Sequence, residues 1–132
     1  MKRRRAREYA LQLLFQHDFA PGVEIDYAGF WADKNEEDSV KDFARGIVEG
    51  TLRHLEEIDR AIESAAEHWA LGRMAAVDRN ILRAGAYELM FAPDVPTKVA
   101  INEALEVAKK FSSQDSAQFI NGVLDRIANR KK

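Results

Sequence analysis

Apolar residues recur every three or four positions along most of the chain, which is the spacing of an amphipathic helix. Between Arg4 and His17, one such stripe consists of Ala6, Tyr9, Ala10, Leu13, Leu14 and His17. Ala20-Pro21-Gly22 interrupts this pattern. Residues 23–34, which contain three aromatic side chains, predict either a short helix or an aromatic plug in a loop.

Helical spacing returns after this segment, with Asn35 as the expected N-cap of the next helix. One stripe runs from Val40 to Leu55, and a second continues from Ile58 to Trp69 after a break expected near residues 56–59. Three further helices are predicted over residues 77–91, 98–111 and 115–129. No alternation typical of a β-strand persists. The pattern therefore predicts an all-α fold, a compact bundle of about six or seven helices within one domain, residues 1–132.

Two glycines stand four positions apart in one predicted helix. Gly46 and Gly50 share a face, and each costs roughly 1 kcal/mol relative to alanine in a helix interior. We expect both to allow close packing of a neighbouring helix.

Composition excludes several classes of protein. The 132 residues contain no cysteine, which excludes a disulfide scaffold and a thiolate site and is compatible with the cytoplasm. No apolar run is long enough for a membrane span, so no membrane partner is expected. The net charge of −2 is unevenly distributed, because both ends of the chain are basic and the middle is acidic.

Catalytic motifs are absent. None of His17, His54 and His68 falls in a metal-ligand motif, and there is no nucleophile elbow, P-loop or dinucleotide-binding glycine pattern. His17 continues the first stripe and is expected to be half-buried and hydrogen-bonded. We therefore expect no enzyme activity, no metal and no cofactor.

The N-terminal cluster of cations carries the clearest chemical signal. Its members are Lys2, Arg3, Arg4, Arg5 and Arg7. Cations are unfavourable at the positive end of a helix dipole, and they repel one another, so a polyanion is the expected compensation. The alternative is a flexible, solubilising tail. In either case we expect these side chains to lie outside the core, so that their removal leaves thermal melting little changed.

The start of the last helix is a second candidate. Ser113 or Asp115 is placed to cap it, and Phe119 lies at the edge of the apolar stripe. Phe119 either stacks on an unpaired base or packs at the edge of the core. Because Asp115 repels phosphate, its functional role would be to accept a hydrogen bond from a base edge or to clamp an arginine.

The middle helix offers a third candidate, because Asp78, Arg79 and Arg83 alternate in sign along one side. This side is either a docking face for a partner or a solvated face.

Several segments together resemble the NusB family of transcription antitermination factors, in order and over essentially the whole chain. The matching segments are RRRAREYALQ (3–12), VDRNILR (77–83), YEL (87–89), DVPTKVAINEA (94–104), KKF (109–111), DS (115–116) and FINGVLD (119–125). The resemblance implies a non-catalytic protein of helical fold that binds the single-stranded boxA element of nascent RNA. It also implies a heterodimer with the ribosomal protein NusE, which joins the RNA polymerase antitermination complex and supports transcription of ribosomal RNA operons.

The resemblance also implies two sets of site residues. The RNA site would comprise Lys2, Arg3, Arg4, Arg5, Arg7, Gln12, Asp115, Ser116, Phe119 and Asn121. The protein-partner site would comprise Asp78, Arg79 and Tyr87. Gln118 departs from the basic or small polar residue of the family, which weakens one phosphate contact. The alternative is a helical protein–protein interaction module, with a homodimer as one form of it, and an incidental basic N-terminal tail.

Overall fold

A computed structural model describes residues 1–67 and 69–131, which contain helices and no strand. His68, one of the three histidines considered above, lies outside the described residues. The α-helices are α1 (Lys2–Phe19), α2 (Tyr27–Trp31), α3 (Asp38–Arg53), α4 (Leu55–Ala66), α5 (Ala76–Phe91), α6 (Thr97–Phe111) and α7 (Gln114–Lys131). A short 3₁₀ turn, Leu71–Arg73, connects α4 to α5. The predicted all-α architecture is confirmed.

Helix α5 occupies the centre of the fold and packs against α1, α3, α4, α6 and α7. Besides the buried polar residues Asn80 and Glu88, its inward residues are the apolar ones that the periodicity predicts, namely Ile81, Leu82, Gly85, Ala86 and Leu89. They belong to the larger apolar core, which α4, α6 and α7 complete. Smaller apolar clusters between α1 and α3 form the other side of the molecule.

The beginning of α3 differs from the prediction. Glu37, not Asn35, is the N-cap residue, and its backbone carbonyl accepts hydrogen bonds from the amides of Val40 and Lys41. The Glu36 side chain points back to α1 and pairs with Arg5. The expected break in the following stripe is present, and it falls at His54 between α3 and α4.

The glycine prediction is confirmed at only one of the two positions. A Cβ at Gly50 would overlap the Tyr87 ring, so the absent side chain allows α3 and α5 to approach closely. A Cβ at Gly46 would meet no atom within 4 Å, so the expectation of close packing is wrong there. Gly46 lies on the exposed side of α3, one turn before the contact.

The predicted stripe of α4 ends earlier than expected. Ile58, Ile62, Ala65 and Ala66 are buried, but Trp69 is 52% exposed. The reason is that α4 ends at Ala66, so the helical period no longer sets the direction of the Trp69 side chain.

None of the described helices is long and apolar enough to span a membrane.

Candidate nucleic-acid interface

The N-terminal cations lie within α1, and we call them the basic helix start: Lys2, Arg3, Arg4, Arg5 and Arg7. Most of them are paired with carboxylates from other parts of the chain. Two hydrogen bonds of 3.0 and 2.7 Å join Arg4 to Glu103 on α6. Because α1 already begins at Lys2, the alternative of a flexible tail is wrong.

The exposed side of the basic helix start meets the segment before α3. Arg5 donates hydrogen bonds of 2.8 and 3.2 Å to Glu36, and Lys2 pairs with Glu37 at 2.9 Å. Tyr9 donates a further hydrogen bond of 2.9 Å to Glu36. These carboxylates supply the compensation that the sequence argument assigned to an external polyanion.

Arg7 is buried, with 8% of its surface exposed, and donates hydrogen bonds of 2.8 and 2.9 Å to Glu88 on α5. Glu88 is itself only 4% exposed. The expectation that every member of the basic helix start lies outside the core is therefore wrong for Arg7. Its neighbour Ala6 continues the stripe, and the long arginine stem extends the same buried face.

Arg3 is the cation of this group that has no ion pair among the described residues. Its guanidinium lies 4.7 Å from the centre of the Phe43 ring, which is the geometry of a cation–π contact. Such a contact holds the group in place while leaving its N–H donors available. Arg3 is therefore the member of the basic helix start that is best prepared to accept an external anion.

The pKa values of two of the partner carboxylates reflect these pairings. The hydrogen bonds from Arg4 hold the pKa of Glu103 below its ordinary value, against the opposing effect of burial. The hydrogen bond from Arg5 does the same for the pKa of Glu36. Both carboxylates are therefore charged at neutral pH, and the positive charge of the basic helix start is largely neutralised within the protein.

The second candidate lies where α7 begins. Ser113 caps the helix, because its hydroxyl oxygen accepts a 3.0 Å hydrogen bond from the Ser116 amide, which confirms one of the two predicted caps. A surface cavity of about 280 Å³ opens beside this turn. Its walls consist of Trp69, Arg73, Met74, Ala75, Asp78, Asp115, Ser116 and Phe119. Three residues predicted for RNA therefore meet Asp78, which was predicted for the protein partner.

Asp78 has a structural role at this site. Its two carboxylate oxygens accept hydrogen bonds of 2.7 Å from the Ser112 hydroxyl and 2.8 Å from the Ser116 hydroxyl. This arrangement fixes the first turn of α7 against the first turn of α5. The Asp115 side chain, in contrast, is exposed and has no hydrogen-bond partner among the described residues.

Arg79 holds together the end of α1 and the turn before α5. It donates hydrogen bonds of 2.9 and 2.6 Å to Asp18 and two more to the carbonyl oxygens of Leu71 and Met74. Burial favours the neutral form of Asp18, but hydrogen bonds from Arg79 and Asn80 outweigh it and lower its pKa. The docking role predicted for Arg79 therefore stays a prediction for a residue that also supports the fold.

The remaining predicted residues lie apart from this cavity. Tyr87 is half-buried between α3 and α5, where it covers Gly50 and stacks on Phe91. Gln12 lines a different cavity, between α1 and α2, that shares no lining residue with the one at α7. Asn121 is exposed on α7 and makes no side-chain hydrogen bond with the described residues.

Helices α1 and α6 connect the two candidate regions. Arg4 pairs with Glu103, and one turn later Glu8 pairs with Lys110 at 2.9 Å, so the helices run side by side in the same direction. Glu103 and Lys110 are two turns apart, about 10 Å along the axis. Since α6 leads directly into α7, the basic helix start and the cavity are joined by one face of α6.

His17 and His54 are the two histidines that the structure describes. Among the described residues, no group of three or more histidine or acidic side chains is arranged to hold a metal ion. The His54 ring stacks on Phe91 with the ring centres 3.9 Å apart. His17 is half-buried as expected, but its Nδ1 is buried without a hydrogen-bond partner, so the expected hydrogen bonding is wrong for this atom.

Sequence reasoning did not assign Trp69 and Arg73 to the cavity. Trp69 was placed in the core because it continued the apolar stripe of α4. No signal in the sequence marks the true end of α4, because its C-cap is Glu67, whereas Gly72 lies inside the 3₁₀ turn that follows. Arg73 had no distinguishing neighbour in the sequence, and only the turn of residues 71–73 brings it beside α7.

Comparison with known proteins identifies the class to which this fold and site belong. The family model described as the NusB family matches residues 4–129. The transcription antitermination protein NusB of Geobacter sulfurreducens is 48% identical over 129 residues, covering 96% of this chain and 94% of that protein. NusB of Koribacter versatilis is 50% identical over 128 residues, covering 96% and 88%. This chain belongs to the NusB family.

Comparison with solved structures supports the same family assignment. NusB of T. maritima has a TM-score of 0.86 and 39% identity, covering 96% of this chain and 90% of that chain. The complex of antitermination factors NusB and NusE with dsRNA contains a similar chain. Its TM-score is 0.84 at 28% identity, and the match covers 98% of this chain and 97% of that chain.

Proposed function

We propose that this chain is a non-catalytic, RNA-binding transcription antitermination factor acting as one helical unit in the cytoplasm. It binds a boxA-like single-stranded segment of nascent RNA together with the ribosomal protein NusE, and the heterodimer joins the antitermination complex on RNA polymerase. The observation that carries the proposal is the similarity, over 98% of the chain, to a protein in a complex of NusB and NusE with dsRNA. Relatives bearing the name transcription antitermination protein NusB support the same function.

The geometry suggests a path for the RNA. Arg3, which has no carboxylate partner among the described residues, marks one end, and the cavity at α7 marks the other. Between them, α6 presents the exposed Lys109 and Lys110, which pair with Glu106 and Glu8 and would have to exchange these carboxylates for phosphates. Phosphates neutralised along this face would release counterions, so affinity should fall steeply with salt. An unpaired base against Phe119 would supply sequence preference.

The partner site is proposed to centre on Asp78, whose charge suits a basic ribosomal protein. Replacing Asp78 with lysine should weaken NusE binding, measured by calorimetry. Because Asp78 also holds α7, Ser116→Ala is the matched control, since it removes one hydrogen bond to Asp78 and keeps the carboxylate. If both variants lose NusE binding equally, the effect comes from the displaced α7 and Asp78 leaves the proposed interface.

One observation favours the alternative of a protein–protein interaction module. The basic helix start is largely paired with carboxylates, so it presents less free positive charge than the sequence alone predicts. On this alternative, the cations join helices of one chain, and the surface around Asp78 binds another protein or a second copy. The two functions differ in whether RNA binds with sequence preference.

Fluorescence anisotropy tests the proposal directly. A labelled boxA-like single strand, a scrambled strand and a duplex are titrated at two salt concentrations, with and without NusE. Preference for the boxA-like strand, strengthened by NusE, is the expected result, and the coupling must be reciprocal. Weak, equal and purely salt-driven binding to all three RNAs in the presence of NusE would refute it.

A further inference from the structure

We propose that Trp69 and Arg73 complete a pocket for one unpaired RNA base at the start of α7, in which the base stacks on the Trp69 indole and its phosphate meets Arg73. This inference rests on the proposed RNA-binding function and adds two residues to it.

Trp69 occupies an unusual position for so large an aromatic side chain. It is 52% exposed although its counterparts in the α4 stripe are buried. A half-exposed indole keeps part of its ring face available for stacking on another π-system. The indole lines the same cavity as Phe119, whose ring packs at the edge of the main core. Two aromatic groups therefore face one cavity of about 280 Å³.

The polar groups of the cavity fall into two kinds. Asp78 is already satisfied by the hydroxyls of Ser112 and Ser116. Asp115 and Arg73 are exposed and have no hydrogen-bonding or ionic side-chain partner within the described part of the chain. The cavity thus offers one free acceptor and one free cation.

This combination matches a nucleotide better than a protein side chain. A base stacks on aromatic rings, its exocyclic amino group donates to a carboxylate such as Asp115, and its phosphate needs a cation. An apolar side chain would bury Asp115 and Arg73 without partners, which is costly. An arginine from a partner would satisfy Asp115 but would be repelled by Arg73. The occupant that uses all four groups is therefore a nucleotide.

Intrinsic fluorescence provides a direct measurement. The chain has two tryptophans, and the conservative variant Trp31→Phe leaves Trp69 as the single reporter. Titration with the boxA-like single strand should quench the Trp69 emission as a base stacks on the indole. The same strand carrying one abasic position should bind without this quenching when the missing base is the one that occupies the pocket.

A double-mutant cycle in the otherwise native sequence identifies that base. Trp69→Ala should weaken RNA binding about 5- to 100-fold, the range of one aromatic–base stack. On an RNA that is abasic at the matching position, Trp69→Ala should cause no further loss. Phe19→Ala, which removes another exposed aromatic ring, is the control and should not couple to any abasic position.

Arg73 is tested through salt dependence. Arg73→Ala should reduce the slope of log affinity against log salt by about 0.7, the value for one lost phosphate contact on a single strand. Arg53→Ala is the charge-matched control, because Arg53 is exposed and unpaired among the described residues and does not line the cavity. Circular dichroism melts should show both variants folded.

The outcomes distinguish a failure of this inference from a failure of the proposed function on which it rests. If the native chain prefers the boxA-like strand but Trp69→Ala couples to no base, the pocket assignment is wrong and the proposed function stands. If Trp69→Ala instead weakens NusE binding alone, the cavity belongs to the protein partner and the inference is again overturned. If the native chain shows no RNA preference even with NusE, the proposed function itself fails.

Discussion

Arg7 and Glu88 form a buried, bidentate ion pair that joins the first turns of α1 to the last turns of the central helix α5. Both side chains are more than nine-tenths buried, and the two hydrogen bonds measure 2.8 and 2.9 Å. Glu103 approaches the same guanidinium to 3.7 Å. Arg7, which the sequence resemblance places in the RNA site, therefore has its charge compensated within the protein.

Replacing Arg7 with alanine should lower the free energy of unfolding by about 3–5 kcal/mol, because Glu88 would remain buried without its partner. Urea unfolding at neutral pH measures this change. Arg3→Ala is the control and should change stability little, since Arg3 makes no ion pair with the described residues. The double variant Arg7→Met/Glu88→Leu should be much less destabilised than Arg7→Ala, because it leaves no unpaired buried charge. Equal unfolding energies for Arg7→Ala and Arg3→Ala would contradict this account.

We expect Glu36 to compete with RNA phosphate for the Arg5 guanidinium. Arg5 directs both of its hydrogen bonds to Glu36, and a phosphate would have to displace that carboxylate or bind elsewhere. Glu36→Gln should therefore strengthen RNA binding several-fold in an anisotropy titration and increase its dependence on salt.

The control for this prediction is Glu57→Gln, which changes the net charge equally at an exposed position on α4. Its effect on RNA affinity should be small and should vanish at higher salt, since only long-range attraction changes. If both glutamate variants strengthen RNA binding by the same factor, net charge alone explains the effect and Arg5 is not released by the substitution.

Asp18 should make stability sensitive to acid. Its folded-state pKa lies below the ordinary value because the hydrogen bonds from Arg79 and Asn80 outweigh burial. The stabilisation is therefore complete above the ordinary aspartate pKa of about 4 and is lost as pH falls through the lower folded-state value. Asp18→Asn should reduce the free energy of unfolding by about 1–2 kcal/mol at pH 7. The difference from the native chain should shrink toward pH 3.

Urea midpoints measured from pH 7 to pH 3 test this sign. Asp125→Asn, at an exposed position without an ion pair among the described residues, should give a midpoint that follows the native chain throughout. A gap between Asp18→Asn and the native chain that widens as the pH falls would show that Asp18 is not the group responsible.

Local periodicity was sufficient to predict the long helices, because residues such as Ile81 and Leu89 repeat on one face and bury together. It could not predict the partners of the basic helix start. Arg5, Arg7 and Arg4 pair with residues 31, 81 and 99 positions away, and nothing local to the cluster indicates those carboxylates. The same limit applies at Trp69, whose direction depends on where α4 ends rather than on its apolar character.

The two glycines of α3 provide a test of packing with a built-in comparison. At Gly46, alanine meets no atom within 4 Å and should raise the free energy of unfolding by about 0.5–1 kcal/mol through its higher helix propensity. At Gly50, the same substitution meets the Tyr87 ring and should lower it by about 1–3 kcal/mol. Urea unfolding of both variants shows whether each substitution raises or lowers the free energy of unfolding. Gly50→Ala combined with Tyr87→Leu should lower it by less than the sum of the two single changes. Stabilisation by Gly50→Ala alone would mean that α3 and α5 do not approach as closely as the Tyr87 contact requires.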